Sequence, residues 1–261
     1  MSNTISNKTV SSALHALLER FIDYAGLFPP AKLPLETCVD NFKKYADSDH
    51  KWMLRWFVLN ESDLVNAPTD LNGAFSVLAQ SDQNRAATLE TKSIVNAERP
   101  VYCEVPCDNL AMLDEVKTAG CYAKIRTGGI KEEFIPSTKD VAAFIERCAE
   151  LRLPFKATAG LHHPIRATYA LTYEPNSPKA TMHGFLNVLM ASAFAWHGME
   201  NIEAVLAETD ASAFSFNDRA SWRDNSLSVE QVKDARANFI HAVGSCSFDE
   251  PVTELQALRL L

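Results

Sequence analysis

The sequence predicts an α/β fold and, within that class, a single-domain (β/α)8 barrel of the TIM type. Three observations lead there. Strand-like and helix-like segments alternate along most of the chain, eight strand candidates can be counted, and 261 residues suit one such barrel with a modest insertion. The opening residues, 1–9, are polar and read as a flexible N-terminus. An amphipathic helix follows over Val10 to Arg20, with Leu14, Leu17 and Leu18 on one stripe. The strand candidates are Phe21 to Leu27, Leu54 to Leu59, Phe75 to Gln80, Val101 to Pro106, Tyr122 to Thr127, Phe155 to Gly160, Phe214 to Asn217 and Ile240 to Ser245. Ser93 to Ala97 is a further candidate. Helix-like runs lie between them, among them Leu35 to Tyr45, Asn109 to Thr118, Thr138 to Leu151, Met182 to Trp196 and Val229 to Asn238. Many are opened by Ser, Thr or Asp, whose side chains can accept from the free amides of a first helical turn. The interval from Gly160 to Phe214 is too long for one βα unit, so an insertion is expected after the strand that carries Lys156. Within it, Leu161 to Ala180 contains Pro164, Pro175 and Pro178 and reads as a long loop, the kind of segment that serves function.

Composition narrows the functional classes. A hydrophobic fraction of 47% with 22% charged residues is that of a chain able to bury a full core. The net charge of -8, with no Lys/Arg-rich run, argues against a nucleic-acid partner. No stretch approaches the ~20 apolar residues of a membrane helix, so a cytoplasmic protein with no membrane partner is expected. The six cysteines, Cys38, Cys103, Cys107, Cys121, Cys148 and Cys246, lie far apart, apart from Cys103 and Cys107, whose spacing is not that of a redox or zinc-ribbon pair. Free, mostly buried thiols are expected. The helix candidate Met182 to Trp196 is apolar on both faces, which predicts a buried barrel helix or a contact in a homo-oligomer.

In a barrel strand alternate side chains point inward, and the outward set must be apolar to pack against helices. In Tyr122 to Gly128, Ala123 and Ile125 form the apolar set, which turns Lys124 and Arg126 inward. In Phe155 to Gly160 the same rule turns Lys156 and Thr158 inward; in Val101 to Val105 it selects Tyr102 and Glu104, and in Phe214 to Asn217 it selects Ser215 and Asn217. Charges inside a barrel are costly to desolvate unless paired, so their recurrence points to a site. The other reading of these charges is a buried ion-pair network of Glu104 with Lys124, Lys156 or Arg126 that holds barrel layers together.

A lysine attacks a carbonyl only as the free amine, a state favoured by burial and a nearby cation. One of the two lysines would form a Schiff base while the other depresses its pKa, and Glu104 or Asp23 would move protons. The chemistry suits making or breaking a carbon-carbon bond beside a carbonyl.

Four fragments resemble the class I deoxyribose-phosphate aldolases. Phe21-Ile22-Asp23-Tyr24-Ala25-Gly26-Leu27 with Pro29 and Pro30 is similar to the family's opening strand, and Lys124-Ile125-Arg126-Thr127-Gly128 to its Lys-x-x-Thr-Gly segment. Lys156-Ala157-Thr158-Ala159-Gly160, with Ile165-Arg166 beyond, resembles its Lys-x-x-Gly-Gly-Ile-Arg segment, although Leu161 replaces the second glycine and His162-His163-Pro164 intervenes. Gly244-Ser245-Cys246-Ser247 resembles its phosphate-binding turn, although Asp249 and Glu250 follow at once and would repel a phosphate. The resemblance implies a lyase with Lys124 as the Schiff-base lysine and Lys156 as the group that lowers its pKa. Arg126, Thr158, His162, His163, Arg166, Asn217, Ser245, Cys246 and Ser247 complete the expected binding set for a small, anionic substrate, without cofactor or metal.

Two other functions compete with this one. His162 and His163, with His183 and Glu104, could form a metal site for hydrolysis or isomerisation on the barrel rim. A non-catalytic barrel that binds a small molecule is the other. Within any of them Cys246 is a candidate nucleophile at a helix N-terminus.

Overall fold

The computed structural model describes residues 10–261; the N-terminal segment 1–9, read above as flexible, lies outside the described residues. In chain order, α1 (Ser12–Leu18) leads into β1 (Ile22–Tyr24), α2 (Leu35–Ala46), β2 (Leu54–Asn60), α3 (Glu61–Leu64), β3 (Phe75–Leu78), β4 (Ala86–Thr91) and β5 (Val101–Glu104). There follow α4 (Met112–Thr118), β6 (Tyr122–Arg126), α5 (Thr138–Glu150) and β7 (Phe155–Thr158). After these come a hairpin of β8 (Ala167–Ala170) and β9 (Lys179–Met182), then α6 (Phe185–Trp196) and α7 (Ile202–Ala207). The chain ends with β10 (Phe214–Phe216), β11 (Arg219–Trp222), β12 (Asn225–Ser228), α8 (Val229–Asn238), β13 (Ile240–Ser245) and α9 (Asp249–Ala257). Eight strands close a parallel barrel, β1 to β7 in sequence with β13 inserted between β7 and β1. This is the expected (β/α)8 architecture.

Alternation explains how the strands sit. Ala123, Ile125, Phe155 and Ala157 are fully buried on the outer side of β6 and β7. On α5, Val141, Phe144, Ile145 and Cys148 recur at helical spacing and are buried, and Phe144 meets Phe155 edge to face at 5.4 Å. Ser137 starts that helix by accepting from the Asp140 amide, and Ser228 with Gln231 forms a full capping box on α8. The outer face of the barrel is therefore legible directly from residue types.

The strand inventory needs one correction. Phe214 to Asn217, expected in the barrel, instead forms the edge of an antiparallel sheet, β10-β11-β12, packed against α1 and α8. The barrel strand it displaces is β4. No helix intervenes between β3 and β4 or between β4 and β5, so the strand-helix rhythm that marks the other strands is missing around Ala86–Thr91. Its inward residues Thr88 and Glu90 are also polar, which conceals an apolar signal. Ser93 to Ala97 forms no strand.

The insertion is confirmed and has structure of its own. The β8-β9 hairpin buries Leu171, Ala180 and Met182 in a small cluster with Ile135 and Tyr169, so it lies beside the loop that follows β6. Helix α6 is covered by α5, α7, α8 and β13 of the same chain, so its apolar faces are used internally. All six cysteines are free thiols, and no helix among the described residues is long and apolar enough to cross a membrane.

Candidate functional site

The barrel register brings the two lysines together. Lys124 on β6 pairs directly with Lys156 on β7, and Glu104 on β5 pairs with Lys124. Lys156 is completely buried; its Nζ donates to Asp23 Oδ2 at 2.7 Å, to Glu90 Oε1 at 2.5 Å and to Ser76 Oγ at 3.2 Å. Lys124 Nζ lies 3.2 Å from Glu90 Oε2 and 3.0 Å from Glu104 Oε2. Glu90 thus stands between the lysines and gives each one oxygen. Arg55 approaches Asp23 from below at 3.8 Å, so three cations face three carboxylates.

This network assigns different states to its members. Burial works against the charge on Lys156, but Asp23 and Glu90 outweigh it and raise its pKa, so Lys156 is a fixed ammonium. Burial likewise works against a charged Glu90, yet Lys156 and Lys124 hold its carboxyl at about 2. The sequence had placed a cation directly beside Lys124 to lower its pKa; a carboxylate on β4 separates them instead. Glu90 was missed together with its strand, and the signal that could have found it is the alternation of Thr88 and Glu90 about Leu89.

Above this floor, at the C-terminal ends of the strands, lies a cavity of about 290 Å³. Lys124 and Glu90 reach it from below, Arg126, Thr158, His162 and Cys246 from the sides, and Phe28, Ile130, Phe134, Leu171 and Met182 supply apolar walls. Such a polar floor in apolar walls is the usual make-up of a small-molecule site. A larger cavity, about 590 Å³, opens at the other end, framed by the first residues of the strands and by α1 and α8. The smaller one is the better candidate, because in this fold chemistry sits where the βα loops converge.

Local backbone chemistry shapes that mouth. Thr127 is buried, and its Oγ1 donates to the carbonyls of Thr158 at 3.2 Å and Ala159 at 2.8 Å, tying the ends of β6 and β7 together. Ala159 (φ 67°) and Gly160 (φ 76°) then turn through the left-handed region. Gly160 packs so closely on Gly128 that a Cβ on Gly128 would stand 3.0 Å from the Gly160 Cα. This turn carries the chain back over the cavity and delivers His162 to its rim.

The two adjacent histidines diverge. His162 is buried with Nδ1 3.7 Å from Cys246 Sγ, whereas His163 Nδ1 meets Glu254 at 2.7 Å and its ring stacks on Tyr169 at 3.6 Å. With Glu104 bound to Lys124 and His183 directed to the Pro136 carbonyl, the metal set of His162, His163, His183 and Glu104 is not assembled. Burial lowers the His162 pKa to about 4 and raises the Cys246 thiol to about 11, so the pair is neutral rather than a thiolate-imidazolium nucleophile.

The remaining expected residues are dispersed. Ser245 Oγ donates to the Ser247 carbonyl at 2.6 Å and Ser247 Oγ accepts from the Glu250 amide at 3.1 Å, so both hydroxyls are used inside the turn. Arg166 lies outside the cavity lining, its amide donating to Asn187 Oδ1 at 2.9 Å. Asn217 follows β10, outside the barrel, where its carbonyl accepts from the Ala13 amide. Compared with known proteins, the chain matches no family model, and no curated protein or solved structure matches it. Function is therefore argued from the site's own chemistry.

Proposed function

We propose that the protein is a lyase of the class I aldolase kind, in which Lys124 forms a Schiff base with a small carbonyl substrate that carries a negative charge. One observation carries the reading: Lys124 Nζ stands at the floor of the barrel-mouth cavity with a carboxylate oxygen 3.0 Å away on Glu104, while Lys156 lies outside the cavity lining, fully buried against Asp23 and the Glu90 carboxylate that it shares with Lys124. Lys156 is thereby the electrostatic support, and Lys124, paired with Glu90 and Glu104, is the lysine that reaches the substrate space.

The chemistry follows from these positions. Lys124 passes a proton to Glu104 and attacks the substrate carbonyl carbon; the carbinolamine takes that proton back on its hydroxyl and loses water, leaving an iminium. Glu104, again a carboxylate, then takes the proton of the hydroxyl on the β-carbon, which leaves as a carbonyl product as the electrons of the bond between the α- and β-carbons flow into the iminium. The resulting enamine is protonated at its α-carbon by Glu104 and hydrolysed by water to release the second carbonyl product and Lys124. The two carboxylates beside Lys124 favour the cationic iminium electrostatically. Arg126 at the mouth suits an anionic group. The resemblance of the Lys124 and Lys156 segments to class I deoxyribose-phosphate aldolases supports the same assignment. A phosphate is the less fitting anion, because the Ser245 and Ser247 hydroxyls are turned inward and Glu250 lies beside Cys246.

Borohydride reduction in the presence of a panel of small aldehydes and 2-keto acids, read by peptide mass spectrometry, tests this. A reduced adduct on Lys124 that disappears in Lys124→Met is expected. No adduct with any member of the panel, or labelling that persists in Lys124→Met, would overturn the assignment.

A further inference from the structure

We propose that His162, Cys246 and Glu250 form a binding site for a divalent transition-metal ion of the zinc class on the rim of the barrel cavity. The three side chains come from two neighbouring βα connections: His162 from the loop after β7, Cys246 from the turn after β13, and Glu250 from the first turn of α9. One donor atom from each, a ring nitrogen, a thiol sulfur and a carboxylate oxygen, lies within 4.8 Å of the other two. The donors are borderline-soft nitrogen and sulfur with a single oxygen, a set that selects zinc or cobalt over magnesium or calcium.

The sulfur and the nitrogen already have the spacing of two ligands on one small ion. Bonds of ~2.3 Å to sulfur and ~2.0 Å to nitrogen at a tetrahedral angle put the two donors ~3.5 Å apart. The observed distance from Cys246 Sγ to His162 Nδ1 is 3.7 Å. Glu250, whose oxygen lies within 4.8 Å of both other donors, would close on the ion by side-chain rotation. A thiolate and a carboxylate would balance its two positive charges once Cys246 gives up its proton.

The surroundings also fit. Tyr173, from the β8-β9 connection, donates its hydroxyl to Glu250 Oε2 at 2.7 Å and reaches within 3.5 Å of Cys246 Sγ. This is the outer contact that orients a ligating carboxylate. Three protein ligands leave one coordination position, and both His162 and Cys246 line the cavity above Lys124. Water or a substrate oxygen from that cavity would complete the shell. The site stands independently of Schiff-base chemistry.

The test uses the whole chain, stripped with chelator and titrated with Co²⁺ by absorption and with Zn²⁺ by calorimetry. One equivalent per chain is expected, with the sulfur-to-cobalt charge-transfer band and the visible bands of a four-coordinate ion. Cys246→Ser abolishes the charge-transfer band, His162→Ala and Glu250→Gln weaken binding, and Tyr173→Phe weakens it ~10-fold. His163→Ala and Cys107→Ser leave it unchanged. Circular dichroism checks that each variant is folded, so that a loss seen in only one misfolded protein is replaced by the result from the other two ligands. Absence of stoichiometric uptake at micromolar metal, or a charge-transfer band that survives in Cys246→Ser, overturns the proposal. Because the readout is spectroscopic, it fails or succeeds separately from borohydride labelling of Lys124.

Discussion

Replacing Glu90 by Gln tests whether the charges inside the barrel form one coupled unit. Glu90 is 4% exposed and accepts from Lys156 at 2.5 Å, Lys124 at 3.2 Å and Ser76 at 2.9 Å. Glutamine keeps the volume and one acceptor oxygen but removes the charge, so each lysine retains only one carboxylate, Asp23 or Glu104. Removing one partner from a buried pair costs about 3–5 kcal/mol, and the retained acceptor places this substitution near the lower end. In a chain of this size each kcal/mol moves Tm by about 2–4 °C, so a fall of about 6–12 °C is expected in thermal unfolding. Asp114→Asn is the internal reference: it breaks the pair with Arg147 at 2.9 Å, where the side chains are 52% and 37% exposed, and should cost at most about 1 kcal/mol. Adding Lys156→Met to Glu90→Gln restores the balance, leaving Lys124 and Arg55 against Asp23 and Glu104, and should recover much of the loss. If Glu90→Gln is no worse than Asp114→Asn, or the double variant shows no recovery, the network is not the coupled unit described here.

Two further predictions concern acid stability and the mouth of the barrel. Burial, with Arg55 and Arg236 close by, holds His241 at about 3, so below about pH 6.5 the unfolded chain takes up a proton that the native state does not, and stability falls as pH drops toward 3. Glu90, held at about 2, adds a second loss as pH falls from about 4.5 through 2, because only the native state resists its protonation there. His241→Gln should therefore make the fall of the urea midpoint between pH 6.5 and 4.5 shallower, the remainder coming from His162 and His183, which burial also holds down, while leaving the steeper loss below it; an unchanged slope would count against a buried neutral imidazole at His241. Gly128→Ala sets a Cβ 3.0 Å from the Gly160 Cα and 3.1 Å from the Ala159 carbonyl oxygen, both backbone atoms, and should cost about 1–3 kcal/mol in urea unfolding. A loss below about 0.5 kcal/mol would show that the two loops are not in tight contact.

Much of the barrel could be read without coordinates, and the exceptions have physical causes. Strands flanked by amphipathic helices, such as Tyr122–Arg126 and Phe155–Thr158, announced themselves by apolar alternation on their outer side. Strand β4 did not, because it lacks flanking helices and turns Thr88 and Glu90 inward. Phe214–Phe216 carries the same alternation as a barrel strand, but a local period cannot tell a barrel wall from an antiparallel ribbon packed against a helix. Lys124, Lys156, Glu104 and Asp23 were all foreseen as neighbours, and they are. The carboxylate between the lysines was missed with its strand β4, and the company of His162 lies beyond anything local alternation specifies.

The sequence by itself therefore determined which faces are polar. Side-chain alternation is a local property of a strand, and an inward Lys124 and Lys156 follow from the apolar residues beside them. Only the tertiary structure decided which charges meet. The pairing of Glu90 with both lysines depends on the closure of the barrel, and the meeting of His162, Cys246 and Glu250 depends on β13 lying beside β7 after a long excursion of the chain. Contacts across such separations are set by strand register and loop direction, which no short stretch of residues specifies.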